Sequence, residues 1–391
     1  MTDTSDTAAT SRRRRFDAIL LVILVAALLS RLALASTQSL IYDEQNTTIP
    51  LAEKIQFFGE HRYLPLRATN HPALPAYIVK ASRTLVDSTE PVAYRLLHVI
   101  GGLGIIVLVY LLTLQWYGRT AARWAAALMA FNEYSMVVGT HATAHVPFLL
   151  CVTVAVYSFS RFLRGQRLLF LYATAVALAG AFYAKEHAAL LLPIFFATLC
   201  LPSNRAWLRG PHAYVAAALF FLIIAPDIVW NVTHVPDSQV TYNRHLERIG
   251  GLGFSIYPTA FYVKAAVAAL HDAWTGQEFD DNTAEYLSMN VALGVLLLAG
   301  VAWGTMRRDP DDRARSYLLL LFWGIFGFFT LIRKGAPQGL DSVSWIWVDA
   351  SMIPAIVLTA AMLAGAAGRA ATALWATVGL SLTVSVLRVF T

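Results

Sequence analysis

The chain has 391 residues, a length that admits two or three soluble domains, yet 57% of them are hydrophobic and 14% charged, and the mean hydropathy is +0.56. Charged residues make up about a quarter of an ordinary globular chain, so a water-soluble multidomain enzyme is excluded. The formal charge of +6 and the pI of 9.3 do not indicate nucleic acid, because the arginines fall in short clusters between apolar segments, where they act as topology determinants. Cys151 and Cys200 lie inside apolar runs without CxxC spacing, which leaves no disulfide framework and no thiolate metal site.

Arg12 to Arg15 precede an apolar stretch from Ala18 to Ala35. That stretch is longer than the apolar part of a signal peptide and has no clear small-residue cleavage site. Residues 1–15 therefore read as a disordered cytoplasmic tail, and 16–391 as a single transmembrane catalytic domain. The expected fold class is an all-α polytopic membrane protein of about eleven spans. They fall at 16–35, 91–116, 121–138, 144–163, 168–184, 187–201, 212–231, 288–306, 316–332, 348–367 and 371–390. With the N-terminus inside, every cytoplasmic connection carries Arg: Arg119 and Arg123, Arg161 to Arg167, Arg205 and Arg209, the cluster from Arg307 to Arg315, then Arg369. Lys185, Arg333 and Lys334 fall on the opposite face and break the positive-inside pattern. Phe254–Ala273 and Leu74–Val86 compete as spans, but an extra crossing at the first would put the 307–315 arginines outside, so both read as helices at the interface or packed on the bundle. Two long loops, 36–90 and 232–287, then face away from the cytoplasm, and the chemistry is expected there. Arg outnumbering Lys and the abundance of Ala suit a GC-rich bacterial genome, hence a bacterial cytoplasmic membrane with the site facing outside.

Candidate residues follow in chain order. In Ile41-Tyr42-Asp43-Glu44-Gln45, Asp43 and Glu44 stand shortly beyond the first span. One carboxylate there suits a general base and the other a hydroxyl or cation ligand; a solvated loop start with a helix cap uses the same residues. His71, in Asn70-His71-Pro72-Ala73-Leu74-Pro75, either opens a helix or lines a substrate site. Arg95 lies in the first turn of the second span, as a functional intramembrane charge or a snorkelling one. His141 and His145 are spaced i, i+4 and would share a helix face, a metal-compatible spacing without an HExxH pattern. Lys185-Glu186-His187 interrupts one long apolar run, either as a plain polar turn or as a cation at the mouth of the bundle for a phosphate. Asp227, close to the outer end of its span, needs a partner. Tyr242, Arg244 and His245 group side chains that grip sugar hydroxyls or phosphate, while Arg333 and Lys334 bind an anionic headgroup or snorkel. Asp280 and Asp281 read as solvated, Trp345 and Trp347 as an aromatic belt.

In order, Tyr42-Asp43-Glu44, His71-Pro72-Ala73-Leu74, Tyr94-Arg95-Leu96, Tyr117-Gly118-Arg119 and Ala184-Lys185-Glu186-His187 through Pro193 resemble the pattern of GT-C glycosyltransferases. More narrowly, the chain is similar to the protein O-mannosyltransferase and aminoarabinose transferase group over about residues 16–260. The resemblance implies a sugar donor linked to polyprenyl phosphate and a hydroxyl acceptor on a glycan, lipid or protein. It implies Asp43 as catalytic base, Glu44 as its partner and Lys185 as a contact to the carrier phosphate. An acidic residue opens a span in many relatives where His141 and His145 stand here, and Arg333, Lys334 and Pro354 match only loosely a cation followed by Tyr and Pro.

The chemistry is consistent with those residues. An inverting displacement needs a carboxylate to take the hydroxyl proton and cations to stabilise the departing phosphate. Asp43 with Lys185, Arg244, Arg333 or Lys334 supplies that set if the long loops meet, with His71, Arg95, His141, His145, Tyr242 and His245 as substrate contacts. No Gly-rich phosphate loop calls for a nucleotide, no cofactor is required, and a divalent cation is admitted with its ligands unassigned. The expected partners are the polyprenyl-phosphate sugar, the acceptor and membrane lipids, not nucleic acid. The competing class is a transporter or flippase of a lipid-linked sugar; polar residues gathered at one face, rather than at a midplane, favour the transferase.

Overall fold

A computed structural model describes residues 17–58, 62–68, 71–165, 167–234, 249–252, 259, 261–263, 289–307, 312–334, 349–366 and 368–390. The expected tail 1–15, with Tyr242, Arg244, His245, Asp280, Asp281, Trp345 and Trp347, lies outside the described residues, as does most of Phe254–Ala273.

The first helix, α1 (Ala18–Thr37), is capped by Asp17, whose side chain accepts from the Ile19 N–H at 3.2 Å. A π-helical turn over Glu44–Thr48 leads into α2 (Ile49–Lys54). A short hairpin follows, with β1 (Arg67–Ala68) antiparallel to β2 (His71–Pro72), and then α3 (Leu74–Val86). At 13 residues α3 is about 20 Å long, too short to cross a bilayer. Helix α4 (Pro91–Phe131) runs for 41 residues. That is about 60 Å, twice the roughly 30 Å of a hydrocarbon core. Inside it Gly118 adopts φ 81°, a conformation that strongly favours glycine, and divides the helix into two segments. Beyond lie α5 (Glu133–Val138), α6 (His145–Gly165) and α7 (Leu168–Ala184). A 3-10 turn at Glu186–Leu190 opens α8 (Leu191–Cys200), and α9 (His212–His234) follows. The remaining elements are β3 (Ile249–Leu252), α10 (Val291–Met306), α11 (Arg313–Leu331), β4 (Ile332–Lys334), α12 (Met352–Gly365) and α13 (Gly368–Phe390).

Six of these helices are long and apolar enough to cross a membrane, in α1, α4, α6, α9, α11 and α13, and shorter apolar helices cover Leu168–Ala184, Glu186–Cys200, Val291–Met306 and Asp349–Gly365. The chain is thus a helical membrane protein, with two short strand pairs beside the helices among the described residues. One expected span needs correction. The stretch 121–138 is not one helix, because Asn132 leaves helical geometry and its side chain accepts from the Ser135 N–H at 2.7 Å, ending α4 at Phe131 and starting α5.

Residues Met352–Ala361 of α12 are all buried, which fits a helix that is apolar on every side and sits inside the bundle. It packs on α4, α10 and α11. A second, smaller apolar cluster of Ile49, Ile55, Ala76, Val79, Tyr94 and Ala142 lies under the first loop and fastens α2 and α3 to the start of α4. At the other end of α1, the Asp17 carboxylate accepts from the Tyr110 hydroxyl at 2.8 Å and from Arg123 Nε at 3.0 Å, which fixes the two sides of the Gly118 break to the start of α1. The chain therefore brings the end of α1, the start of α4, the 139–145 connection and the end of α7 to one end of the bundle.

Candidate active site

The first loop is held by a buried ion pair. Arg95 and Glu44 are both fully buried. Arg95 Nε donates to Glu44 Oε1 at 2.8 Å and Nη2 to Oε2 at 2.6 Å. Its other N–H groups reach the Ala35, Gln38 and Ser39 carbonyls at 3.1, 2.8 and 2.8 Å. All five guanidinium donors are thereby used, three of them on the carbonyls at and just beyond the end of α1 that a helix terminus leaves without partners. Glu44 also accepts from the backbone N–H of Ala142 at 2.7 Å and of Ile41 at 2.9 Å. Burial pushes its carboxyl upward, but the Arg95 guanidinium and the Ala142 N–H outweigh that and hold it below the usual carboxylate range. Glu44 is therefore an ionised anchor of the loop.

Asp43, the neighbouring residue, is exposed. It stands at the mouth of the bundle on a loop whose backbone the Glu44–Arg95 pair fixes. Across from it is Lys185, the extended residue between α7 and the following 3-10 turn. Lys185 Nζ lies 2.8 Å from His145 Nδ1 and 3.2 Å from Nε2, and 5.7 Å from the centre of the Phe148 ring. Burial lowers the Lys185 ammonium to a pKa of about 8, with Asp349 and Asp43 opposing the shift. A carboxylate and a readily titrated cation thus share one electrostatic neighbourhood.

Behind Lys185 is a compact polar cluster. Asp349 Oδ2 accepts from the Tyr134 hydroxyl at 3.1 Å and lies 3.2 Å from His145 Nδ1, which is 3.3 Å from the Tyr134 oxygen. A second cluster fixes the next residue of the turn: Arg67 bridges Glu186 and Asp227, the latter at 2.7 Å with both side chains fully buried. The partner that Asp227 required is therefore Arg67, which ties the first loop to the turn after α7 and to α9. His187 packs its ring against Phe148 at 4.7 Å between centroids.

The two histidines do not share a helix face, which corrects the spacing argument. Helix α6 begins at His145, and His141 stands in the turn before it. His141 Nε2 is 3.3 Å from Gln38 Oε1, beside the Glu44 anchor, and burial lowers its pKa to about 4, so it is neutral at physiological pH. Among the described residues, no three His, Cys, Asp or Glu side chains converge as a metal site. His71 lies in β2 with its backbone opposite Ala68. Arg333 and Lys334 lie in β4, which pairs with β3, so the second long loop and the segment after α11 meet there.

Asp349, Tyr134 and Arg67 were not singled out by sequence. Asp349 carried a usable signal, an ionisable residue within an expected span; so did Arg31, which is buried in α1 and donates to Ser135 Oγ at 3.1 Å. Arg67 had none, because its partners lie far along the chain. An apolar groove of about 380 Å³ opens between α6, α7, α8 and α9, lined in part by Leu178, Leu192, Pro193, Phe196 and Tyr214.

Residues 70–230 match the family described as dolichyl-phosphate-mannose-protein mannosyltransferase. The matched stretch contains Arg95, His145, Lys185 and Asp227 but neither Asp43 nor Asp349. No curated protein matches the chain in sequence. Among solved structures, ArnT from Cupriavidus metallidurans bound to undecaprenyl phosphate aligns with a TM-score of 0.63 at 15% identity, over 89% of this chain and 60% of that one. The apo state of the same protein gives 0.60 at 16%, over 90% and 60%. The Archaeoglobus fulgidus oligosaccharyltransferase tethered with an acceptor peptide gives 0.52 at 13%, over 95% and 54%. The chain therefore spans about 60% of the length of ArnT, and its fold is GT-C-like, as the ordered motifs led us to expect.

Proposed function

We propose that the family match over residues 70–230 extends to chemistry, and that this chain is a membrane glycosyltransferase. It moves a sugar from a polyprenyl-phosphate carrier to a hydroxyl of a glycan, lipid or protein acceptor on the non-cytoplasmic face. The observation that carries this reading is the placement of Asp43, exposed on a loop locked by Glu44 and Arg95, within electrostatic reach of Lys185. In the inverting step the acceptor O–H proton passes to the Asp43 carboxylate while the oxygen attacks the anomeric carbon. The bond from that carbon to the phosphate oxygen breaks, and the electron pair leaves on the phosphate beside the Lys185 ammonium. Arg95 does not serve the phosphate, since every N–H it has is occupied. A lipid donor suits the apolar groove, whose Leu178 lies about 10 Å along α7 from Lys185, and ArnT was solved with undecaprenyl phosphate.

Lys185→Ala is expected to weaken binding of a polyprenyl-phosphate sugar by about tenfold to a hundredfold, the range of a charge-assisted hydrogen bond. The sign of the pH dependence follows from the lowered pKa. Affinity is full well below about pH 8, where the ammonium is protonated, and falls above it toward the level of Lys185→Ala. Lys185→Arg, charged throughout, flattens the profile. Undiminished donor binding by Lys185→Ala would show that the residue is only a turn.

In this reading the part of α4 before Gly118 makes one crossing and the part after it, continued by α5, the next; the chain crosses about eleven times, and the first loop lies outside. A cysteine placed at exposed Gln56 should react with an impermeant reagent from outside the cell; reaction solely from the cytoplasm refutes that orientation.

A further inference from the structure

We propose that Asp349 is a positioning residue: with His145 and Tyr134 it forms a buried seat that holds the Lys185 ammonium at the mouth of the bundle. Its functional meaning rests on the reading of Lys185 as the phosphate contact, but the seat itself is defined by contacts alone.

Four separate elements converge there. Tyr134 comes from α5, His145 from α6, Lys185 from the end of α7 and Asp349 from the turn that opens α12. Asp349 is fully buried, so it does not touch a substrate. An ionised carboxylate taken out of water needs a cation and hydrogen bonds. Oδ2 has the Tyr134 hydroxyl and His145 Nδ1 at 3.1 and 3.2 Å, while Oδ1 has no hydrogen-bond partner among the described residues. The cation is Lys185, whose Nζ lies 2.8 Å from that same Nδ1.

Among the described residues, the charged and titratable groups around Lys185 are few. They are His145 from α6, Tyr134 from α5, Asp43 from the first loop, His187 from its own turn and Asp349. Asp43 is exposed to water, which screens it, and the histidines and tyrosine bring no negative charge. Asp349 is therefore the buried counter-charge that offsets the cost of desolvating the ammonium. Its removal leaves Lys185 with the same burial and less reason to keep its proton.

The chain contains five lysines, Lys54, Lys80, Lys185, Lys264 and Lys334, so the test is spectroscopic. Reductive methylation of the full-length protein with ¹³C-formaldehyde labels them, and Lys185→Arg identifies the resonance that belongs to Lys185. In Asp349→Asn the titration midpoint of that resonance should move down by about one pH unit or more, and Asp349→Glu should restore it. An unmoved midpoint in folded Asp349→Asn overturns the proposal. If Asp349→Asn does not fold, the double variant Asp349→Asn/Lys185→Met decides: recovery of folding supports the seat, because the orphaned ammonium is gone, and equal failure overturns it. Binding of a short-chain polyprenyl-phosphate sugar is measured separately. A one-unit shift reduces it about fivefold at pH 8 in Asp349→Asn. Since the titration uses no donor, a failure of the transferase reading and a failure of the seat remain distinct results.

Discussion

Asp43→Asn should lower sugar transfer by about a hundredfold to ten-thousandfold, the usual contribution of a positioned general base, in a protein that stays folded and binds its donor normally. Asn keeps the shape of the side chain but cannot accept the acceptor proton at neutral pH. Folding should survive because Asp43 is exposed and stands outside the hydrogen-bond lattice of Glu44 and Arg95. Donor binding should survive because it depends on Lys185 and apolar surface. Glu44→Gln is expected to act differently, through stability and loop order, since its carboxylate receives Arg95 and two backbone N–H groups. The assay follows labelled sugar from carrier to acceptor, with circular dichroism and donor binding as controls. Full turnover by Asp43→Asn would eliminate it as the base.

Arg95→Ala should have the largest effect on stability. It strands a fully buried carboxylate and deprives the Ala35, Gln38 and Ser39 carbonyls of their donor. Breaking one side of a buried pair typically costs about 3–5 kcal/mol, a large part of the margin of a domain. Arg95→Lys should rescue little, because an ammonium has neither the planar fork nor the number of donors. Thermal unfolding in detergent measures this. An Arg95→Ala protein as stable as the parent but unable to bind donor would instead make Arg95 a substrate ligand, one of the roles its sequence position allowed.

Much of the fold was readable because long apolar runs with Arg between them have few solutions in a bilayer. The segments now seen as α1, α6, α7, α9 and α12 fall where those runs predict. The interruption at Asn132 was hidden, since it depends on one side chain capping its own helix inside an apolar stretch. For the site, Lys185 and Asp227 stood out as charges in apolar surroundings. What they pair with did not, because Arg67 and Asp227 are separated by 160 positions, and Tyr134 and Asp349 by 215. The i, i+4 spacing of His141 and His145 misled for a related reason. Periodicity applies only within one helix, and α6 starts at the second of the two.

The most direct test of transfer against transport uses the purified protein in lipid vesicles, supplied with a polyprenyl-phosphate sugar labelled on both sugar and lipid, together with a panel of hydroxyl acceptors. The account predicts that the sugar label moves to an acceptor while free polyprenyl phosphate appears in equal amount, and that Asp43→Asn stops both. Passage of the doubly labelled lipid to the other leaflet with its sugar still attached, without any free polyprenyl phosphate, would contradict it and identify a flippase.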